Sequence, residues 1–267
     1  MGGAAILAAP WRADFLSHVD DMDSPIFVLG TEHSDASSSP SPTAPLTTPR
    51  TRTVVFRGMW ASLPANSKNT APRNPASYET DLLAITTDAR MEKVSEIFGD
   101  AKESDSTAQS RVGGVVEGVF WSPKPMTQWR IRGHACIIGP DIESDAAAPV
   151  RQALNGYMRR VGETDSWSWS KELTAHFGNL SPAMRGSFRN PPPGTPLSKT
   201  PGEGLGLGQK VDNLDDPIAR SNFRVVLLVP EEVDRVDLSD PERGRRWNYR
   251  LSGPEADGKW KTTELWP

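Results

Sequence analysis

The sequence predicts a mainly β fold, a mostly antiparallel β-barrel with peripheral helices, and three observations carry that expectation. About eight segments combine β-branched and aromatic residues with strand-like alternation. Loops join most successive strands, without the regular strand–helix alternation of a doubly wound sheet. Proline and glycine, 24 and 22 of the 267 residues, gather between the strands.

Trp11, Phe15 and Val19 stand four apart after Pro10, which marks one face of a first helix. PIFVLGT (25–31) then reads as a short buried strand. Residues 34–49 are almost all Ser, Pro, Thr and Ala, too poor in apolar surface to offset the entropy of ordering. RTRTVVFRGMW (50–60) reads as a strand, residues 61–78 as a polar loop, and DLLAITTD (81–88) as the next strand. A short helix is expected over 91–98, followed by a charged, Ser-rich insertion over 100–111. VGGVVEGVFW (112–121) and MTQWRIRGHACIIG (126–139) are strands, the second with Trp129, Ile131 and Gly133 opposite Gln128, Arg130 and Arg132. Helices are expected over 147–161, 167–177 and, as a short turn, 180–188. A third loop rich in Gly and Pro spans 191–220. FRVVLLVP (223–230), VDRVDL (233–238), RWNYRL (246–251) and KWKTTELWP (259–267) close the chain as four strands, with GPEADG a hairpin turn between the last two. Neither side of any insertion holds a full set of barrel strands. The expectation is therefore one domain over 1–267, with insertions at about 34–49, 61–78, 100–111 and 191–220.

Composition removes several classes of function. A single cysteine, Cys136, forms no internal disulfide and no four-cysteine zinc site. The formal net charge of -4 argues against a nucleic-acid partner. No stretch approaches the ~20 apolar residues of a membrane span, and the apolar start lacks the basic residues of a signal peptide. A soluble cytoplasmic protein is expected. The four histidines show no metal-ligand spacing, and GEGLGLG (202–208) lacks the preceding strand of a dinucleotide loop.

Cations at strand ends are more informative. Arg52 and Arg57 flank the run Thr53, Val54, Val55, Phe56, in which Val54 and Phe56 share the face that can meet a core. Thr86, Thr87 and Lys93 form a second group at a strand end and helix start. Fork-like guanidinium donors, hydroxyls and backbone N–H groups suit a phosphate. On the residues alone, solvated surface charge explains both groups as well.

RTVVFRG, TTDARMEK and QWRIRG follow one another in this order, and RRWNYRLSGPEADGKWKTTELWP closes the chain. With NLSPAMRGSF and its following PPPG, these motifs resemble the pyridoxamine 5'-phosphate oxidase-like family of FMN-binding split barrels, and within it a subgroup with cyanobacterial and fungal members. The resemblance implies FMN as cofactor and a homodimer with the flavin at its interface. It places Arg52 and Lys93 on the FMN phosphate. The strand with Thr53, Val54, Val55 and Arg57 would run beside the flavin, and Thr86 and Thr87 would contact phosphate and ring. Gln128 and Arg246 match flavin-binding positions, and Ser181 and Arg185 fall in a further flavin-binding segment. The family's substrate-holding Arg-x-His is replaced by Glu242-Arg243-Gly244, a flavin-edge aromatic by Asp237 or Leu238, and a substrate lysine by Arg57. The resemblance thus implies an FMN-dependent oxidoreductase of unassigned substrate and argues against genuine pyridoxamine 5'-phosphate oxidase activity. The alternatives are a non-catalytic FMN carrier on the same fold, or a haem or deazaflavin binder with His134 as axial ligand.

Overall fold

The computed structural model describes residues 7–35, 46–64, 66–98, 108–252 and 258–267. In chain order it contains α1 (Arg12–Asp20), β1 (Ile26–Asp35), β2 (Leu46–Val55), β3 (Tyr78–Glu79), β4 (Leu83–Asp88), α2 (Glu92–Phe98), β5 (Arg111–Ser122) and β6 (Thr127–Ile138). There follow α3 (Ala148–Asn155), β7 (Arg159–Arg160), α4 (Trp169–Gly178), α5 (Pro182–Gly186), α6 (Pro217–Asn222), β8 (Phe223–Asp237), β9 (Arg245–Leu251) and β10 (Trp260–Leu265). One antiparallel sheet holds eight strands in the order β10-β9-β8-β6-β5-β1-β2, with β4 on β8. The mostly β, antiparallel expectation holds. Among the described residues the sheet does not close by strand pairing alone. The segment after β2 curls back to β4 through Arg57 N–H to Ala84 O (2.8 Å), Ala84 N–H to Gly58 O (3.0 Å) and Trp60 N–H to Leu82 O (2.9 Å). Gly58 makes that turn at φ +107°, and a Cβ there would sit 2.5 Å from Pro64.

Four sequence expectations change. β1 and β2 form a ribbon that pairs Ser34 with Thr47, so both strands run into the stretch read as a loop over 34–49. The helix expected over 147–161 ends at Asn155, and Arg159–Arg160 instead pairs with Tyr78–Glu79. A further helix, α6, ends the loop expected over 191–220. Finally, the two strands expected over 223–230 and 233–238 are one strand, β8, with a bulge. Gly133 pairs with Pro230 and Arg132 with Glu232, so Glu231 is the extra residue. A Cβ on Gly133 would lie 1.9 Å from the Val229 carbonyl oxygen, so only glycine fits there. The GPEADG turn and most of the 100–111 insertion fall outside the described residues.

Two cores lie on opposite faces of the sheet, filled by alternating residues of β6 and β8. The first fills the barrel with Phe27, Leu29, Phe56, Phe120, Trp129 and Ile131, and α1 covers it with Trp11, Phe15 and Val19. The second packs Cys136, Ile138, Phe223 and Leu227 against α3 and α4. Its Trp60 stacks on His176, with ring centroids 5.3 Å apart and an interplanar angle of 15°. His176 is buried, and among the described residues neither ring nitrogen has a hydrogen-bond partner.

Burial, helped by the charge of Arg57, lowers the His176 pKa from its ordinary 6.5 to about 3. Between those values the unfolded chain binds the proton and the folded chain does not. Stability is therefore full above pH 6.5 and falls as the pH drops toward 3. We expect the wild type to lose about 2 kcal/mol more than His176→Phe between neutral pH and about pH 5 in urea unfolding. Equal losses in the two proteins would overturn this. Glu172, whose carboxyl is pushed up mainly by burial, acts in the opposite direction but is present in both.

Candidate functional site

Alternation along β2 sends Arg52 to the same side as Val54, toward the end of the barrel that α2 covers. There Arg52 donates to the Thr31 hydroxyl on β1 and pairs with the Glu96 carboxylate on α2. Thr31 Oγ1 donates to Glu96 Oε2 at 2.6 Å. Glu96 Oε1 is buried without a hydrogen-bond partner among the described residues, with His33 Nδ1 3.6 Å away. Lys93, one turn before Glu96, is 9% exposed. Its ammonium reaches Thr87 Oγ1 at 3.2 Å and Met91 Sδ at 3.0 Å, and no carboxylate lies within ion-pair distance among the described residues. Burial lowers the Lys93 pKa and the Arg52 charge lowers it further, while Glu96 and Asp88 act against both. Arg52, Lys93, Met91 and Glu92 line a cavity of about 310 Å³, and Pro193 and Gly194 of the long loop form its other wall.

A second cation lies nearby in sequence. Arg57 donates from Nε to Thr86 Oγ1 at 3.2 Å, and burial lowers its pKa. It forms no ion pair with a carboxylate among the described residues.

Thr53, Val55, Gln128 and Arg246 occupy the outer face of the sheet. One register row runs from Thr53 through Val28, Val119, Arg130 and Asp234 to Thr263. Beside it lie the pair Val55–Ile26 and the run Trp121–Gln128–Val236–Arg246–Leu265. Ile26, Val28, Trp121 and Leu265 are each between 40 and 43% exposed, an apolar band on a solvent-facing sheet. Arg246 grips Asp234 through Nε (2.8 Å) and Nη2 (3.0 Å). Burial opposes ionisation of Asp234, but Arg246, Asn248 and Arg130 outweigh it and hold the carboxyl below its usual range.

The structure thus brings Arg52, Thr87 and Lys93 together, and Arg57 with Thr86. It puts Thr53, Val55, Gln128 and Arg246 on another face. Val54 is partly buried and packs on the inner core. Ser181 caps α5 by accepting from Met184 N–H at 3.2 Å. Arg185, expected at a flavin, is buried and gives Nε to Val211 O (2.8 Å) and Nη1 to Gly178 O (3.4 Å). Its guanidinium lies 5.9 Å from the centre of the Phe177 ring. His134, the proposed axial ligand, bonds Glu231 at 2.9 Å beside the bulge. Among the described residues no group of three or more His, Cys, Asp or Glu could hold a metal ion. Burial raises the Cys136 thiol to about 12, which leaves it inert. Sequence reasoning missed Thr31, Glu96, Pro193 and Gly194. For Glu96 a signal existed, its i, i+3 spacing from Lys93 on an amphipathic helix.

The cavity suits a phosphomonoester: a buried ammonium, with no carboxylate in ion-pair range among the described residues, and a fixed guanidinium both line it. Residues 8–139 match the family described as pyridoxamine 5'-phosphate oxidase, FMN-binding domain. An uncharacterised protein of Saccharomyces cerevisiae is 21% identical over 82% of this chain and 88% of its own. The crystal structure of a pyridoxamine 5'-phosphate oxidase-related, FMN-binding protein from Nostoc punctiforme superposes with a TM-score of 0.57. It is 20% identical, and the match covers 98% of this chain and 100% of that one. PhzG from Burkholderia lata, in complex with tetrahydrophenazine-1-carboxylic acid, is 15% identical with a TM-score of 0.40 over 96% of this chain and 89% of that one. No helix among the described residues is long and apolar enough to cross a membrane.

Proposed function

We propose, for a chain that carries the FMN-binding domain of the pyridoxamine 5'-phosphate oxidase family, that the protein is a flavin-dependent oxidoreductase acting as a homodimer. The observation that carries the reading is Lys93, a buried cation with no carboxylate partner among the described residues, beside Arg52 in one cavity. Arg52, Lys93 and the Thr87 hydroxyl would hold the phosphate. Bound FMN supplies hydride chemistry in its ring system. Thr86 orients Arg57, whose remaining donors have no partner among the described residues and would take an anionic group of the substrate. Gln128 and Arg246 sit on the apolar-banded outer face, which a second copy would cover, and each would then reach the flavin from its own subunit. Exclusion of water follows from that contact.

The purified protein should take up FMN with the visible bands of oxidised flavin, release it on denaturation, and elute as a dimer. A nicotinamide donor should bleach those bands. A protein that stays colourless with added FMN overturns the whole reading. Bound flavin that no donor reduces removes the oxidoreductase and leaves a carrier. FMN affinity should also fall as the pH rises through the depressed range of Lys93, because the ammonium that pairs with phosphate loses its proton.

A further inference from the structure

The guanidinium of Arg52 is divided between two tasks. Its end-on edge is taken by the protein: Nη1 donates to Thr31 Oγ1 and to Arg50 O (3.3 Å), and Nη2 to Glu96 Oε2. Thr31 and Glu96 are themselves hydrogen-bonded at 2.6 Å, so the two acceptors form one rigid unit. Among the described residues no acceptor reaches Nε. The side edge, Nε–H with the second Nη2–H, is left as a two-pronged donor on a residue that lines the cavity. A flexible arginine loses substantial rotamer entropy when it must find this pose on binding. Here the pose exists before the ligand arrives. Glu96 itself is too buried to serve a ligand, with its side chain 1% exposed.

We propose that Glu96, acting through Thr31 and Arg52, is a positioning residue that sets the flavin site's selectivity for a phosphorylated flavin over the unphosphorylated one. The inference rests on the reading that Arg52 meets the FMN phosphate. Electrostatics alone makes the opposite prediction: removing a carboxylate next to two cations should tighten anion binding. The sign of the effect therefore separates positioning from charge.

The test compares dissociation constants of FMN and riboflavin for the full-length apo protein. Glu96→Gln and the near-isosteric Thr31→Val should each weaken FMN about tenfold, the cost of a charge-assisted hydrogen bond that must now be ordered on binding. Riboflavin affinity should stay within about twofold, because it has no phosphate for Arg52 to hold. The FMN-to-riboflavin ratio is a readout that general loosening of the fold does not move. Equal losses for both ligands, or FMN binding unchanged or tightened, overturn the proposal. If Glu96→Gln fails to fold, Thr31→Val decides alone. Arg52→Gln keeps the two readings distinct. If it loses the FMN preference while Glu96→Gln and Thr31→Val keep it, Arg52 binds the phosphate and Glu96 does not position it. If the wild type shows no preference for FMN, the phosphate assignment itself fails.

Discussion

Replacing Arg52 with glutamine should weaken FMN binding about a hundredfold, since two charge-assisted hydrogen bonds to phosphate are lost at about 1.5 kcal/mol each. The same change should destabilise the apo protein by about 3 kcal/mol, because it leaves the buried Glu96 carboxylate without its cation. The two losses have different causes and separate in a double-mutant cycle. Adding Glu96→Gln to Arg52→Gln removes the orphaned charge and should restore most of the stability, while FMN affinity stays low. Calorimetric titration with FMN and denaturant unfolding of the same four proteins measure both. Recovery of affinity in the double variant would show that Arg52 acts on the fold and not on the phosphate. Lysine at position 52 should rescue little, because an ammonium cannot bridge Thr31 and Glu96 while presenting a second fork.

That coupling was only half legible in the sequence. Arg52 and Lys93 stood out because cations at strand ends, next to threonines, are chemically suited to an anion. Glu96, 44 positions from Arg52 in the chain, joins them only once α2 is laid over the end of β1 and β2. The strands were legible where one face is dry and the other wet. On β6, Trp129 and Ile131 are buried while Arg132 on the other face is exposed, as the alternation indicated. Legibility failed where a local signal has two physical causes. Pro230-Glu231-Glu232 reads as the end of a strand, yet the structure uses it as a bulge that Gly133 accommodates. The Ser- and Thr-rich ends of β1 and β2 read as disorder, because ribbon pairing satisfies their backbone without an apolar signal. For Arg185 the sequence offers a cation near a flavin-binding motif, and nothing local reveals that it also donates to Val211 O and Gly178 O.

The largest loss of stability should follow from Phe15→Ala. Phe15 is fully buried where α1 meets the barrel and makes edge-on contacts with four rings: Trp11 (5.9 Å), Phe56 (5.8 Å), Phe120 (5.0 Å) and Trp129 (5.6 Å). These rings come from three separate parts of the barrel and from the helix itself, so no single neighbour can move in to fill the space. A cavity that cannot collapse lies at the costly end of the range for such changes, about 3–5 kcal/mol. Against a typical total of about 5–15 kcal/mol, that is enough to leave a marginal protein. The effect should extend beyond the ring. His18, one turn further on, accepts the Trp129 indole N–H at 3.1 Å, and Arg235 pairs with Asp14 on the same helix while stacking 5.3 Å over Trp129. Loosening Phe15 therefore frees α1 from the sheet as a unit. In denaturant unfolding, Phe15→Leu should recover more than half of the loss, because a branched aliphatic side chain refills most of the volume without the ring contacts. Leu16→Ala, on the partly buried side of the same helix, should cost less than Phe15→Ala. If Phe15→Ala costs no more than Leu16→Ala, α1 is an accessory to the barrel and not part of its core.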